Sequence, residues 1–170
     1  MFKKAFTLIE ILVVISIISI ATAMTLASVT GQRNVRYVER ASREVAASLR
    51  EAQGYALAGW KGPVTASVCG YHVVMPAGSD YTVVNTYPTG ACTSNAVIAT
   101  YSLKAGVVFP AYTNIAFSLP RAEPLYLTGA VMAPITTPVL ITLSRSGLSY
   151  YVCVYSTGRI VENGPSSTCP

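Results

Sequence analysis

The sequence predicts an α+β protein: one long amino-terminal helix followed by a mostly antiparallel β globular domain. Three observations carry this. An almost unbroken apolar run occupies Phe6 to Val29. Apolar residues at three- and four-residue spacing, with charges opposite them, then continue from Arg33 to Gly59. From Val64 onward, short stretches rich in Val, Ile, Thr and Tyr are divided by turn-forming residues. Apolar residues make up 52% of the 170-residue chain and charged residues only 11%, which excludes a disordered protein. The length suits one domain plus an anchor.

The first element is the apolar run. Between Ile11 and Val29 there is no charge, proline or glycine. As a helix, Phe6 to Val29 covers about 36 Å, against a hydrocarbon core of about 30 Å, so the first half of the helix is long enough to span a membrane. A cleavable secretory signal is the competing reading, with Ala21-Thr22-Ala23 as its cut. Glu10 argues against it. A carboxylate at the head of an apolar segment costs a few kcal/mol and marks function, whereas a discarded signal gains nothing from it. The blander reading of Glu10 is a side chain reaching back to the interface.

Lys3-Lys4-Ala5-Phe6-Thr7-Leu8-Ile9-Glu10, with the apolar run behind it, resembles the prepilin signal of type IV pilins and type II secretion pseudopilins. The resemblance implies a leader over residues 1–5, removed by prepilin peptidase between Ala5 and Phe6, and N-methylation of the new terminus at Phe6. It implies an assembly helix over residues 6–29 and an amphipathic continuation over 30–59. Residues 60–170 would then be the β-rich domain. Glu10 becomes the fifth residue of the mature chain, where the ammonium of Phe6 on a neighbouring subunit can neutralise it in a low-dielectric filament core. The implied partners are other pilin or pseudopilin subunits, prepilin peptidase and the bacterial inner membrane. The implied location is that membrane in single-pass form, with the globular domain outside the cytoplasm, and then a periplasmic or extracellular filament. Two positions depart from the family pattern. Ala5 stands where glycine usually precedes the cut, and Ala27 stands where major pilins often carry proline.

The second half of the helix presents Val35, Val38, Ala41, Val45, Leu49, Ala52 and Ala56 on one face. Arg36, Arg40, Arg43, Arg50, Glu39, Glu44 and Glu51 occupy the other. Gly31 is a candidate bend, Gly54 is tolerated inside, and Gly59 with Gly62-Pro63 ends the helix. Topology carries one tension. Lys3 and Lys4 place the amino end in the cytoplasm, while the arginines after residue 32 pull the other way. The leader prevails, because both the implied peptidase and the cysteines require it.

The β region offers strands at Val64–Cys69, Tyr71–Met75, Tyr81–Asn85, Val97–Tyr101, Val107–Phe109, Ile115–Leu119, Val139–Leu143, Tyr150–Tyr155 and Arg159–Val161. Turns fall at Pro76 to Asp80, Pro88-Thr89-Gly90, Ser146-Gly147 and Thr157-Gly158. Pro120 to Pro138, with four prolines, reads as an irregular surface loop. Ala46 to Gln53 and Ser156-Thr157-Gly158-Arg159-Ile160 resemble the corresponding parts of the GspH- and FimT-type minor pseudopilins.

Four cysteines beyond an export segment point to disulfides in an oxidising compartment. Three pairings exist, and Cys69–Cys92 with Cys153–Cys169 is favoured because each closes a short loop. Neither a zinc-site spacing nor a phosphate-cradling glycine motif occurs, so no metal and no cofactor is expected. Catalysis is not expected either. His72 is the only histidine, and Asp80, Glu123 and Glu162 are isolated carboxylates. The chain therefore reads as a structural subunit. The alternative is a DNA-binding minor pilin at a filament tip, with Arg159 and Arg145 as phosphate contacts. Formal charge is +5, about +3 without Lys3 and Lys4, and the basic residues after residue 60 are scattered. Eleven tyrosines, Tyr150, Tyr151 and Tyr155 among them, read as ordinary strand packing rather than an adhesive surface.

Overall fold

The computed structural model describes residues 7–61, 67–87, 94–128 and 131–170; of these, the side chains at 24–30, 87, 127, 128, 131 and 132 are left undescribed. One helix, α1 (Leu8–Ala58), opens the fold and runs unbroken through Gly31 and Gly54. Its end is built as the sequence requires. Gly59 has φ +60°, the left-handed conformation that glycine adopts without strain. The Gly59 amide donates to Ala56 O at 3.3 Å and the Trp60 amide to Tyr55 O at 3.2 Å. This pair of reversed bonds satisfies carbonyls that the helix leaves open. Trp60 stacks on Tyr55 with ring centroids 4.5 Å apart, sealing the turn.

The chain forms two compact units, Met1–Arg36 and Tyr37–Pro170. In the second, two antiparallel sheets follow the helix. The larger has six strands: β1 (Gly70–Met75), β2 (Asp80–Tyr87), β3 (Ser94–Ser102), β4 (Thr113–Ser118), β5 (Pro124–Thr128) and β6 (Val131–Pro134). Their order is β3-β2-β1-β4-β5-β6. The smaller comprises β7 (Val139–Arg145), β8 (Leu148–Val154) and β9 (Ile160–Gly164), in that order. A bridge between Val108 and Ser144 ties the segment before β4 to β7.

The core lies where α1 meets the strands. Val38, Val45, Leu49, Ala52 and Ala56 are fully buried together with Tyr71, Val73, Met75, Ile115, Phe117, Ile141 and Val152. Alanines on this helix face let the backbone approach the sheet closely, while Leu49 and the valines fill the space between. Ala46, Ser42 and Ser48 are buried as well, although the spacing of large apolar residues did not single them out. Ser48 keeps its hydroxyl satisfied by sharing a buried hydrogen bond with Tyr81 at 3.1 Å.

Several strand expectations need correction. Residues 67–69 are not strand, and pairing starts at Gly70; residues 64–66 lie outside the described residues. Val107–Phe109 makes only isolated bridges, to Gly78 and Ser144, rather than a strand. Tyr155 falls beyond the end of β8. The stretch from Pro120 to Pro138 is not an irregular loop. It holds the β5–β6 hairpin, with Leu125 opposite Pro134 and Thr128 opposite Val131. Proline is compatible with strand ends, and Pro124 opens β5 while Pro134 closes β6. Prolines read as breakers were marking boundaries.

Candidate functional site

The start of α1 is held by a reciprocal pair. The Glu10 amide donates to Thr7 Oγ1 and the Thr7 amide donates to Glu10 Oε2, each at 3.4 Å. Thr7 stands just before the first helical residue and Glu10 three positions on, the arrangement of a capping box. The carboxylate therefore has a local role in starting the helix. Its negative charge also suits the positive end of the helix dipole. Thr7 was not among the expected site residues, yet the Thr-x-x-Glu spacing ahead of an apolar run was a readable signal.

Every side chain described from residue 7 to residue 23 is exposed. Leu8 is 83% exposed and Ile20 is 61%. Thr7, Leu8, Ile11, Leu12 and Ile15 line a shallow apolar groove. The few hydroxyls in this stretch are turned inward. Ser16, Ser19 and Thr22 donate to the carbonyls of Leu12, Ile15 and Ile18 at 2.8, 2.7 and 2.8 Å. Such bonds leave the surface effectively apolar. Among the described residues, no helix is long and apolar enough to cross a membrane. Ala5 and Phe6, the expected cleavage and methylation positions, lie outside the described residues.

The two arginines considered for phosphate contact are kept apart. Arg145 pairs with Leu148 at one end of β8, whereas Ile160, next to Arg159, pairs with Val154 at the other. Six residue steps along β8 separate these ends by about 20 Å. Arg159 lies over the Tyr155 ring, 4.3 Å from its centroid, and Arg145 lies over Tyr37 at 4.6 Å. Three other cations are engaged by carboxylates: Arg43 with Glu39 at 2.5 Å, Arg50 with Glu162 at 3.3 Å, and Arg121 with Glu123 at 3.8 Å.

Cys153 and Cys169 form a disulfide with Cα atoms 5.8 Å apart. It ties the segment after β9 back to the centre of the small sheet. Asn163 reinforces it by donating to Ser166 O at 2.8 Å and Thr168 O at 2.6 Å, and the Tyr155 hydroxyl bonds Pro170 O. Cys69 is disulfide-bonded, and Cys92 lies outside the described residues. The turn between β8 and β9 is also fastened to the helix. Gln53 Nε2 donates to Gly158 O at 3.1 Å. A Cβ at Gly158, where φ is +81°, would come within 2.7 Å of that nitrogen.

His72 sits in β1 with Nε2 3.4 Å from Thr86 Oγ1. Burial lowers its pKa, with a hydrogen bond to Asn114 opposing. Among the described residues, no group of His, Cys, Asp or Glu is placed to hold a metal ion.

Comparison with known proteins places one part of the chain. Residues 1–26 match the family model of the prokaryotic N-terminal methylation motif. The motif is that of type IV pilin-like proteins, and it supports a pilin- or pseudopilin-type structural role. It implies processing by prepilin peptidase and assembly with other pilin subunits, and it fits a membrane-anchored protein that passes into a filament. No curated protein and no solved structure matches the chain.

Proposed function

We propose that this chain is a minor pilin or pseudopilin, a structural subunit of a type IV pilus or a type II secretion pseudopilus, of the GspH- and FimT-like kind. Residues 1–5 are the leader, the cut falls between Ala5 and Phe6, and Phe6 is N-methylated. The segment 6–29 spans the inner membrane and later packs in the filament core. There Glu10 pairs with the Phe6 ammonium of a neighbour and sets the register. The observation that carries this reading is the methylation motif on residues 1–26. That motif leads into a helix whose described side chains from 7 to 23 are all exposed, with one carboxylate in the first turn. An apolar helix surface of this kind needs lipid or other helices around it. The domain Tyr37–Pro170 supplies the outer surface of the subunit. Capture of DNA is the less favoured reading, because Arg145 and Arg159 sit at opposite ends of β8.

Intact mass and amino-terminal sequencing of the protein from membranes and sheared filaments test the proposal. A chain beginning at N-methylated Phe6 is expected. A chain retaining Met1, or one cut after Ala23, would overturn it.

A further inference from the structure

We propose that Asn163 is a self-modifying site: its carboxamide closes onto the backbone nitrogen of Gly164 and loses ammonia once the Cys153–Cys169 disulfide is opened. Asn163-Gly164 is the one Asn-Gly pair in the chain. Ring closure needs the nitrogen after an asparagine to reach back to its side chain, and glycine, lacking a Cβ, obstructs this least. The fold puts the pair where the backbone is irregular. Tyr151 stands opposite Gly164 and Val152 opposite Glu162, so Asn163 is an extra residue in β9, unopposed in the register. Gly164 has φ +61°, and a Cβ there would meet nothing within 4 Å, so glycine is placed by conformation and not by crowding. Both residues are partly exposed and Pro165 to Thr168 are exposed, so water reaches the pair.

The folded chain holds the reaction back. A carboxamide nitrogen has two N–H donors. Asn163 spends both, on Ser166 O at 2.8 Å and on Thr168 O at 2.6 Å. The acceptors belong to one small loop, in which the Ser166 and Thr168 hydroxyls also share a bond at 3.2 Å. Cys169, the next residue, is bonded to Cys153, which is fully buried in β8 between Leu140 and Val161. The disulfide therefore anchors the loop, and the loop fixes the carboxamide. Attack by the Gly164 nitrogen requires the side chain to leave both carbonyls. Opening the disulfide frees the loop and with it the carboxamide.

The reagents are a dithiol and water. The dithiol takes the two sulfurs to thiols and itself becomes a disulfide. Hydroxide then removes the Gly164 amide proton, the nitrogen bonds to Asn163 Cγ, and Nδ2 departs with a proton from water as ammonia. Water opens the resulting cyclic imide at either carbonyl, giving aspartate or isoaspartate at position 163. One water is consumed, one ammonia is released, and no electrons are exchanged in these later steps. Re-forming the disulfide does not reverse the change. The new carboxylate has no N–H for Ser166 O and Thr168 O and faces them as another acceptor. It also adds negative charge beside Glu162, which Arg43 and Arg50 already engage. The site thus leaves a permanent mark on a chain whose small sheet has once been reduced.

The test incubates the full chain in detergent micelles, oxidised or with a dithiol. Peptide mapping by mass spectrometry and an isoaspartate assay read residue 163. The oxidised chain should keep Asn163. Under reduction, conversion should rise about thirtyfold, the worth of two ordinary hydrogen bonds. Cys169→Ser should convert at the reduced rate without reductant, which separates this disulfide from the one at Cys69. Asn85 and Asn114, buried in strands, should stay unchanged and serve as internal standards, and circular dichroism follows the fold. Should opening the disulfide unfold the domain, Ser166→Gly/Thr168→Gly answers instead. It keeps the disulfide, loosens the loop, and should convert severalfold faster in the oxidised chain. Equal conversion with and without the disulfide in a folded chain, or an unmoved rate in Ser166→Gly/Thr168→Gly, overturns the proposal. So does conversion of Asn85 or Asn114 as fast as that of Asn163.

Discussion

The two halves of α1 use similar side chains for opposite ends. In the stretch 7–23, isoleucine, leucine and valine surround the helix, and Ile15 and Ile18 are 56% and 58% exposed. From Val38 to Ala56 the apolar residues keep to one face, and Val38, Val45 and Leu49 are fully buried. The second half finds its apolar partner within the chain, in the strands. The described side chains of the first half leave their apolar surface exposed. The difference teaches that hydrophobicity alone does not place a residue in a core. Its distribution around the helix does.

Glu10→Ala gives the largest expected effect on this contrast. Filament assembly should be abolished, as seen by shearing and electron microscopy, while the unfolding midpoint of the β domain stays unchanged. Normal filaments from this variant would break the register-setting role and leave Glu10 with helix capping alone. Thr7→Ala sharpens the same point. It removes the capping partner at a cost of about 1 kcal/mol in helix-end stability and should leave assembly largely intact.

A paired truncation comes next. Leu49→Ala should destabilise the β domain by about 2–5 kcal/mol, because it removes packed volume from a fully buried site. Ile15→Ala removes similar volume from an exposed site and should not move the same denaturant transition. Equal shifts in both variants would erase the distinction between the halves.

Much of this contrast was legible in the sequence. The helix end at Gly59, the buried face from Val38 to Ala56 and the cores of most strands follow from spacing and turn chemistry. The β5–β6 hairpin did not, since Pro124 and Pro134 resembled loop punctuation until the register showed them at strand ends. The stack of Arg145 on Tyr37 was also invisible. The two residues are far apart in the chain, one in α1 and the other at the end of β7, and only the fold brings them together. At the amino end the apolar run and Glu10 were readable because they are local, whereas Thr7, the capping partner of Glu10, was missed.

The disulfide gives a third test, confined to the domain. Cys153 and Cys169 are 16 residues apart, and Cys169→Ser should cost about 3 kcal/mol by freeing a loop of that length in the unfolded chain. Denaturant unfolding with and without reductant measures it. Loss of assembly without loss of stability would instead tie the segment after β9 to subunit contacts.

The smallest effects are pH-dependent and again belong to the domain. Burial holds His72 below its ordinary value of 6.5. As pH falls below 6.5, the unfolded chain takes up this proton before the folded one does, so stability should decline on acidification. His72→Gln should flatten that slope. Tyr81 is pushed from 10.0 up to about 12, chiefly by burial, with the Ser48 hydrogen bond opposing. The unfolded chain therefore loses this proton first, and stability should fall as pH rises from 10 towards 12. Tyr81→Phe should lessen that alkaline loss without abolishing it, since Tyr55, Tyr71 and Tyr101 are raised as well, while costing about 1 kcal/mol at neutral pH for the bond to Ser48. Thermal unfolding across both ranges reads the two slopes. The stretch 7–23 holds no histidine and no tyrosine, so the helicity of an isolated peptide of that stretch in detergent should be insensitive to pH between about 10 and 12. A peptide that lost helix in that window would show that the first half also depends on an alkaline-titrating contact, and the division between the two halves would no longer hold.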